Sequence, residues 1–172
     1  TITDSLCGAH RPTFFQGVAT VVTKLLLQAL PDVAVFGEKD YQQLLVIRHL
    51  VRDLNIPVRI EASATWREED GLAMSSRNNY LSPQDRAAAP VLHKVLSEIA
   101  WHAADGKPVA PLLASGRETI LAAGFSAVDY LEIRDAETLA LCDQIGNRPA
   151  RVFVAAHLGK ARLIDNMRVG QD

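Results

Sequence analysis

The sequence is poor in cysteine and aromatic residues, has no long apolar run and is almost neutral. Cys7 and Cys142 are the 2 cysteines among 172 residues. They lie too far apart for any metal-site spacing and fit reduced thiols in a cytoplasm. No apolar stretch reaches the ~20 residues needed to span a bilayer, and no secretory signal is visible. A net charge of −2 gives no electrostatic case for nucleic acid or an anionic membrane. The histidines, His10, His49, His93, His102 and His157, form no His-x-Gly-His or His-x-x-His pair. No internal repeat or low-complexity segment stands out. The remainder, 48% apolar and 22% charged, is the composition of an ordinary globular protein. Its length allows one good-sized core or two small ones.

The most informative stretch is Asp70-Gly71-Leu72-Ala73-Met74-Ser75-Ser76-Arg77-Asn78-Asn79. It places two hydroxyls and a guanidinium in consecutive positions with little to bury. Arg77 offers a fixed fork of N–H donors that suits phosphate oxygens. Ser75, Ser76 and the surrounding backbone amides can add further donors. The same residues would also serve as a plain polar connector.

A second polar cluster, Gly37-Glu38-Lys39-Asp40-Tyr41-Gln42-Gln43, lies where an α/β protein places ligands. Asp32-Val33-Ala34-Val35-Phe36 reads as a buried parallel strand that Gly37 ends. From Asp40 onward, Leu44, Ile47, Leu50, Val51 and Leu54 are spaced for one helical face. Asp40 as N-cap with Gln43 three residues later forms a capping-box pattern. Carboxyl ends of strands next to helix N-termini favour anions, and Lys39 stands there as a positive charge.

The chain organises into two parts. Val18, Val21, Val22, Leu25, Leu26 and Ala29 line one face of a helix over 17–30. A strand at 32–36, a helix over about 40–54 and a strand at 58–61 follow as a right-handed crossover unit. After Thr65 the character changes. Ser82-Pro83 starts a helix that runs to about Ala104, with Pro90 marking a kink or a later start. Pro111 begins another helix, which Gly124 stops. Strands are expected at 128–133 and 151–156, and Gly159-Lys160 turns into a return strand at 162–166. The fold class expected is α/β: the second half of a Rossmann-like parallel-sheet domain (1–64), then a small α+β domain with an antiparallel sheet (65–172). Among other polar residues, Glu68, Glu69 and Asp70 read as a solvated trio, His157 as packed or surface-exposed, and Asp165 and Arg168 as hinge or surface groups.

Two blocks, Phe36-Gly37-Glu38-Lys39-Asp40-Tyr41-Gln42-Gln43-Leu44 and Arg67-Glu68-Glu69-Asp70-Gly71-Leu72-Ala73-Met74-Ser75-Ser76-Arg77-Asn78, resemble the pantothenate synthetase family (pantoate–β-alanine ligases, AMP-forming). Arg11-Pro12 and Gly17-Val18-Ala19-Thr20-Val21-Val22 match the same family. The resemblance covers nearly all of residues 6–82 and continues more loosely to the end, through Val128-Asp129-Tyr130-Leu131 and Leu163-Ile164-Asp165-Asn166. It implies a two-step reaction, in which ATP and pantoate give pantoyl-adenylate and pyrophosphate, and β-alanine then displaces AMP. The Met-Ser-Ser-Arg loop resembles the mobile Lys-Met-Ser-Lys-Ser loop of class I aminoacyl-tRNA synthetases. By resemblance, Ser75, Ser76 and Arg77 hold the phosphates, and Met74 and the Trp66 backbone lie near the adenine. Lys39 stabilises the phosphoryl transition state. Gly37, Glu38 and Asp40 belong to the ATP site, with Gly37 and Asp40 at the ribose, and Gln43 binds pantoate. Lys39, Arg77, Ser75 and Ser76 would carry catalysis. Mg2+ would ride on the phosphates with no protein metal ligand. A cytoplasmic homodimer is the expected assembly, acting on small molecules and on neither nucleic acid nor membrane.

Family members begin with a half carrying a Met-His-x-Gly-His-type motif whose histidines contact ATP, and the sequence here has no such motif. The expectation is therefore a truncated enzyme. Its alternatives are a non-catalytic C-terminal or dimerisation fragment and another nucleotidyltransferase-type acid–amine ligase. Phe14 and Gln16 stand where relatives often have histidine and arginine, and Trp66 replaces a smaller aliphatic residue.

Overall fold

β-Branched Val33 and Val35 with Phe36 suit a pleated strand, and this stretch forms β1 (Val33–Gly37) in the computed structural model. Residues 2–170 are described. The chain divides into two compact units, Thr1–Thr65 and Trp66–Asp172.

In the first unit, α1 (Cys7–His10) and α2 (Phe14–Ala29) precede β1; a 3-10 turn (Glu38–Asp40), α3 (Tyr41–Asp53) and β2 (Arg59–Ser63) follow it. The two strands pair in parallel, from Val33 opposite Arg59 to Gly37 opposite Ser63. The strand–helix–strand order is as expected, but the burial differs. β1 is largely exposed, with Val35 at 64%. A parallel strand is buried on both faces only where both faces are covered, and this sheet has two strands among the described residues. In α2 the buried stripe runs through Phe15 and Leu26, whereas Val21 and Leu25 face solvent. The apolar face predicted for this helix is thus rotated and narrower. α3 buries Leu44, Leu45, Val46 and Ile47, while Leu54 lies exposed just past its end.

The glutamine that matters to this unit's packing is Gln42. Its side chain is buried. Its amide donates to the carbonyls of Ile2 at 2.7 Å and Ser5 at 2.8 Å, and its Oε1 accepts from the Cys7 N–H at 3.1 Å. These bonds tie the N-terminal segment to α3. Gln42→Ala strands those groups and should destabilise the first unit by about 1–3 kcal/mol. Gln43→Ala should cost no more than about 0.5 kcal/mol. Urea-unfolding midpoints of the two variants check the contrast.

In the second unit, a 3-10 turn (Ser76–Tyr80) leads into α4 (Pro83–Ala88), α5 (Val91–Ala104) and α6 (Val109–Ala122). The strands β3 (Ala127–Asp135), β4 (Ala150–Leu158) and β5 (Ala161–Arg168) form an antiparallel sheet in that order. Ser82 caps α4 as expected, accepting from the Asp85 N–H at 3.1 Å with Pro83 at the first helical position. Pro90 splits the predicted long helix into α4 and α5, because its ring cannot continue the hydrogen-bond ladder. α6 starts at Val109, earlier than the Pro111 expected from sequence, with Pro108 at the cap.

Leu92, Val95, Leu96 and Ile99 of α5 join Ile120 of α6 and Leu131, Ile133, Val152 and Val154 of the sheet in one core. Gly116 lets α6 approach. A Cβ there would stand 2.9 Å from side-chain atoms of Ile99 and Val95 and 3.0 Å from Leu131. The expected α/β class therefore holds, as a parallel strand–helix–strand unit followed by a separate antiparallel α+β unit.

Candidate functional site

The residues singled out from the sequence fall on both units. In the first, Gly37 ends β1 in an extended conformation (φ −72, ψ 136), and Glu38, Lys39 and Asp40 form the 3-10 turn that runs into α3. This is the carboxyl end of a parallel strand beside a helix N-terminus, a setting that favours anions. The capping box does not form. Asp40 sits at φ −97, ψ 54 and makes no side-chain cap bond, because the tight turn before α3 replaces the extended backbone that an N-cap requires. Gln43 instead lines an open groove of about 380 Å3 with Phe14, Gly17, Val18, Val21 and Val22. An apolar trough with one amide suits a small, branched ligand that has a polar end.

In the second unit the polar loop is braced from below. The Glu68 N–H donates to the Leu72 carbonyl and the Gly71 N–H to the Glu68 carbonyl, each at 2.9 Å, and the Met74 N–H donates to the Trp66 carbonyl at 2.9 Å. Arg67 and Ala73 bridge across this narrow hairpin. Gly71 takes φ +88 at its turn, a conformation that glycine adopts without strain.

Three side chains fix the hairpin. Arg67 donates to both carboxylate oxygens of Asp165, at 2.7 and 3.1 Å, and to the Gly71 carbonyl at 3.0 Å. Arg86 donates to Asp70 at 2.6 Å and to Glu68 at 2.9 Å. Asn78 donates to Glu68 at 3.1 Å and to the Ala73 carbonyl at 3.2 Å. Glu68 and Asp70 are therefore ion-paired rather than merely solvated, and only Glu69 of the trio matches that expectation. Hydrogen bonds from Arg86 hold both carboxyls below the usual range, with Asn78 adding to the effect at Glu68. Asp165 is likewise a buried partner of Arg67 rather than a surface group.

On this scaffold Met74, Ser76 and Arg77, expected to meet a ligand, are exposed, and Ser75 is half-buried. Ser75 Oγ accepts from the Arg77 N–H at 3.2 Å, which leaves its own hydroxyl proton free to point outward. Ser76 and Arg77 are exposed. Arg77 makes no side-chain hydrogen bond or ion pair among the described residues. Met74 is exposed, and the Trp66 indole is 75% exposed rather than packed, while its backbone holds Met74.

His157 lies half-exposed on the sheet, 3.0 Å from Asp129, which also accepts from Arg162 at 2.6 Å. Among the described residues no group of three His, Cys, Asp or Glu side chains could hold a metal, and no helix is long and apolar enough to cross a membrane. Composition alone could not flag Arg86, Asn78 or Asp165 as supports, because each acts through a partner between 5 and 98 residues away.

Residues 1–168 match the sequence model of the pantoate-beta-alanine ligase family. The chain is 59% identical over 168 residues to the pantothenate synthetase of Paramagnetospirillum magneticum, covering 98% of this chain and 59% of that protein. Its fold is similar to the crystal structure of pantothenate synthetase from Thermus thermophilus, with a TM-score of 0.91 and 49% identity over 99% of this chain and 61% of that one. It is also similar to the pantoate-beta-alanine ligase of Francisella tularensis complexed with beta-gamma ATP and beta-alanine, with a TM-score of 0.77 and 32% identity over 99% of this chain and 56% of that one. The chain thus spans about 60% of the length of these relatives. With its two motif blocks in place and a family match over residues 1–168, the chain belongs to the pantoate–β-alanine ligase family.

Proposed function

We propose that the full-length protein joins pantoate to β-alanine at the expense of ATP, through a pantoyl-adenylate. In the first step a pantoate carboxylate oxygen bonds to the α-phosphorus of ATP, and the bond to pyrophosphate breaks. In the second, the β-alanine amine bonds to the acyl carbon, loses a proton and expels AMP. Both steps bring anions together and shift charge onto a leaving phosphate, which calls for fixed donors rather than a protein nucleophile.

The observation that carries this reading is the braced loop, which presents Arg77 outward with no side-chain partner among the described residues. Arg77, Ser75 and Ser76 grip the phosphates and receive the charge of the departing pyrophosphate. Lys39, at the end of β1, faces the charge that builds on the α-phosphate. Gly37, Glu38 and Asp40 line the ribose side, and Met74 and the Trp66 backbone the adenine. Gln43 and its apolar groove take pantoate, the amide binding a polar end and the valines its methyl groups. Glu68 and Asp70 are already committed to Arg86, which supports a magnesium ion held through the phosphates rather than by this loop's carboxylates. The relative complexed with beta-gamma ATP and beta-alanine supports the same substrate set. Cys7 and Cys142, both half-buried, form no disulfide among the described residues, which fits a cytoplasmic setting. A homodimer is the assembly that gel filtration of the full-length protein should show.

Calorimetric titration of magnesium-ATP into this chain tests the phosphate loop. Removal of one charge-assisted phosphate contact weakens binding by about 1.5–3 kcal/mol, or roughly 10- to 100-fold. Arg77→Ala should show that loss. Equal affinity in the two chains would remove Arg77 from the phosphate site. No binding by either would favour a folded module whose ATP site needs the rest of the enzyme.

A further inference from the structure

His93, on α5, has no role in the proposed chemistry, yet it lies directly beneath the hairpin that carries the phosphate loop. A Cβ at Gly71 would overlap the imidazole Cδ2 of His93, so turn backbone and ring are in immediate contact. The ring also lies within electrostatic reach of both members of the Arg67–Asp165 pair. Its Nδ1 is buried and has no hydrogen-bond partner among the described residues. Asp70 and Lys94 line the same groove, of about 450 Å3, with Asp70 held by Arg86. The charged groups around His93 are therefore Arg67 from the hairpin, Asp165 from β5, Asp70 from the turn and Lys94 from its own helix.

We propose that uncharged His93 is the positioning residue that keeps the Gly71 turn, and through it the Met74–Arg77 loop, in its phosphate-binding shape. The inference rests on the reading of that loop as the ATP phosphate site. The physical case is one of fit. A neutral ring fills the space under Gly71 and leaves Arg67 free to hold Asp165 and the Gly71 carbonyl together. An imidazolium carries N–H on both ring nitrogens, and the one at Nδ1 finds no acceptor. It also repels the Arg67 guanidinium and competes with it for Asp165. Charging His93 thus acts on the three hydrogen bonds by which Arg67 ties the hairpin turn to Asp165.

Burial, followed by the charge of Arg67, lowers the His93 pKa, with Asp165 opposing in part. A histidine whose folded pKa is depressed binds fewer protons folded than unfolded. The stability it contributes is fully present above the ordinary histidine value of about 6.5 and declines as pH falls from there to the lower folded pKa, where the ring charges and its contacts weaken.

The test is a pH titration of this chain by NMR, from neutral to acid, with His93→Gln as an uncharged replacement. In the wild type the backbone amides of Gly71, Met74 and Arg77 should shift together, with the midpoint shown by the His93 ring protons and below about 6.5. In His93→Gln those amides should stay near their neutral-pH positions throughout. The same pH course in both chains, or amides indifferent to the His93 midpoint, would overturn the proposal. A parallel titration with magnesium-ATP separates it from the reading on which it rests. Wild-type affinity should fall by about 3- to 10-fold more than that of His93→Gln across the transition, since one pKa unit of coupling is a factor of ten. Amides coupled to His93 in a chain whose ATP affinity is the same with and without Arg77→Ala would sustain the strut and overturn the phosphate reading of the loop.

Discussion

Lys39→Ala, in a protein of its relatives' length, should lower kcat by about 10²–10³-fold, the usual loss when one preorganised donor to a developing charge is removed. Its ATP affinity should stay within about threefold of wild type, because binding energy spent equally on ground and transition states does not raise kcat. The expectation follows from position. Lys39 lies in the 3-10 turn directly after β1, at the amino end of α3. In the proposed reaction an ammonium there would act on the α-phosphate as it gains charge, whereas Arg77 would hold the phosphates before and during reaction. Steady-state kinetics with an independent ATP-binding measurement checks it. Losses of equal size in kcat and in ATP affinity would mean that Lys39 is a ground-state anchor.

Asp165→Ala should be the most damaging single change to the second unit. The carboxylate side chain is 3% exposed and its partner Arg67 21% exposed. The pair is bidentate, and Asp165 also accepts from the Asn166 N–H at 2.8 Å. Removal of one member of a buried pair leaves the other charge uncompensated, which costs about 3–5 kcal/mol. With Arg67 partly in water, about 2–4 kcal/mol is expected, and the hairpin under Met74–Arg77 should loosen with it. Thermal unfolding should show a fall in Tm of roughly 10 °C or more. A shift of only a few degrees would mean that water replaces the carboxylate at little cost. Replacement of both residues by apolar ones of similar size should recover part of the loss, because the desolvation penalty of the pair disappears with it.

Much of this fold was legible because its signals are local. Ser82-Pro83 announces a helix start through chemistry confined to four residues, and the hydroxyl does cap the Asp85 N–H. Gly159-Lys160 marks the turn between β4 and β5 in the same way. Burial was less legible, because it depends on what covers a face. The apolar run at β1 reads as a buried strand but lies largely exposed in a two-stranded sheet. The capping-box spacing of Asp40 and Gln43 was misleading for a related reason. The turn before α3 is tight, and the adjacent Gln42 turns inward to hold the N-terminal segment.

At the candidate site, the residues that meet solvent were readable from composition, and those that hold them in place were not. Arg77 and the two serines stand out as donors in a short polar loop. Their supports, Asp165 under Arg67 and Arg86 under Glu68 and Asp70, come from 98, 18 and 16 residues away in the sequence. Only folding brings them together. His93 is legible from neither composition nor spacing, since its contact with Gly71 exists only once α5 lies under the hairpin.

The central claim is that the protein activates pantoate as an acyl-adenylate before the amine arrives. Its most direct test is the exchange of labelled pyrophosphate into ATP by a protein of its relatives' length, with pantoate present and β-alanine absent. Exchange that requires pantoate and falls at least tenfold in Arg77→Ala is the result this account predicts. Formation of pantothenate without any such exchange would contradict it, because no discrete adenylate would then precede attack by the amine.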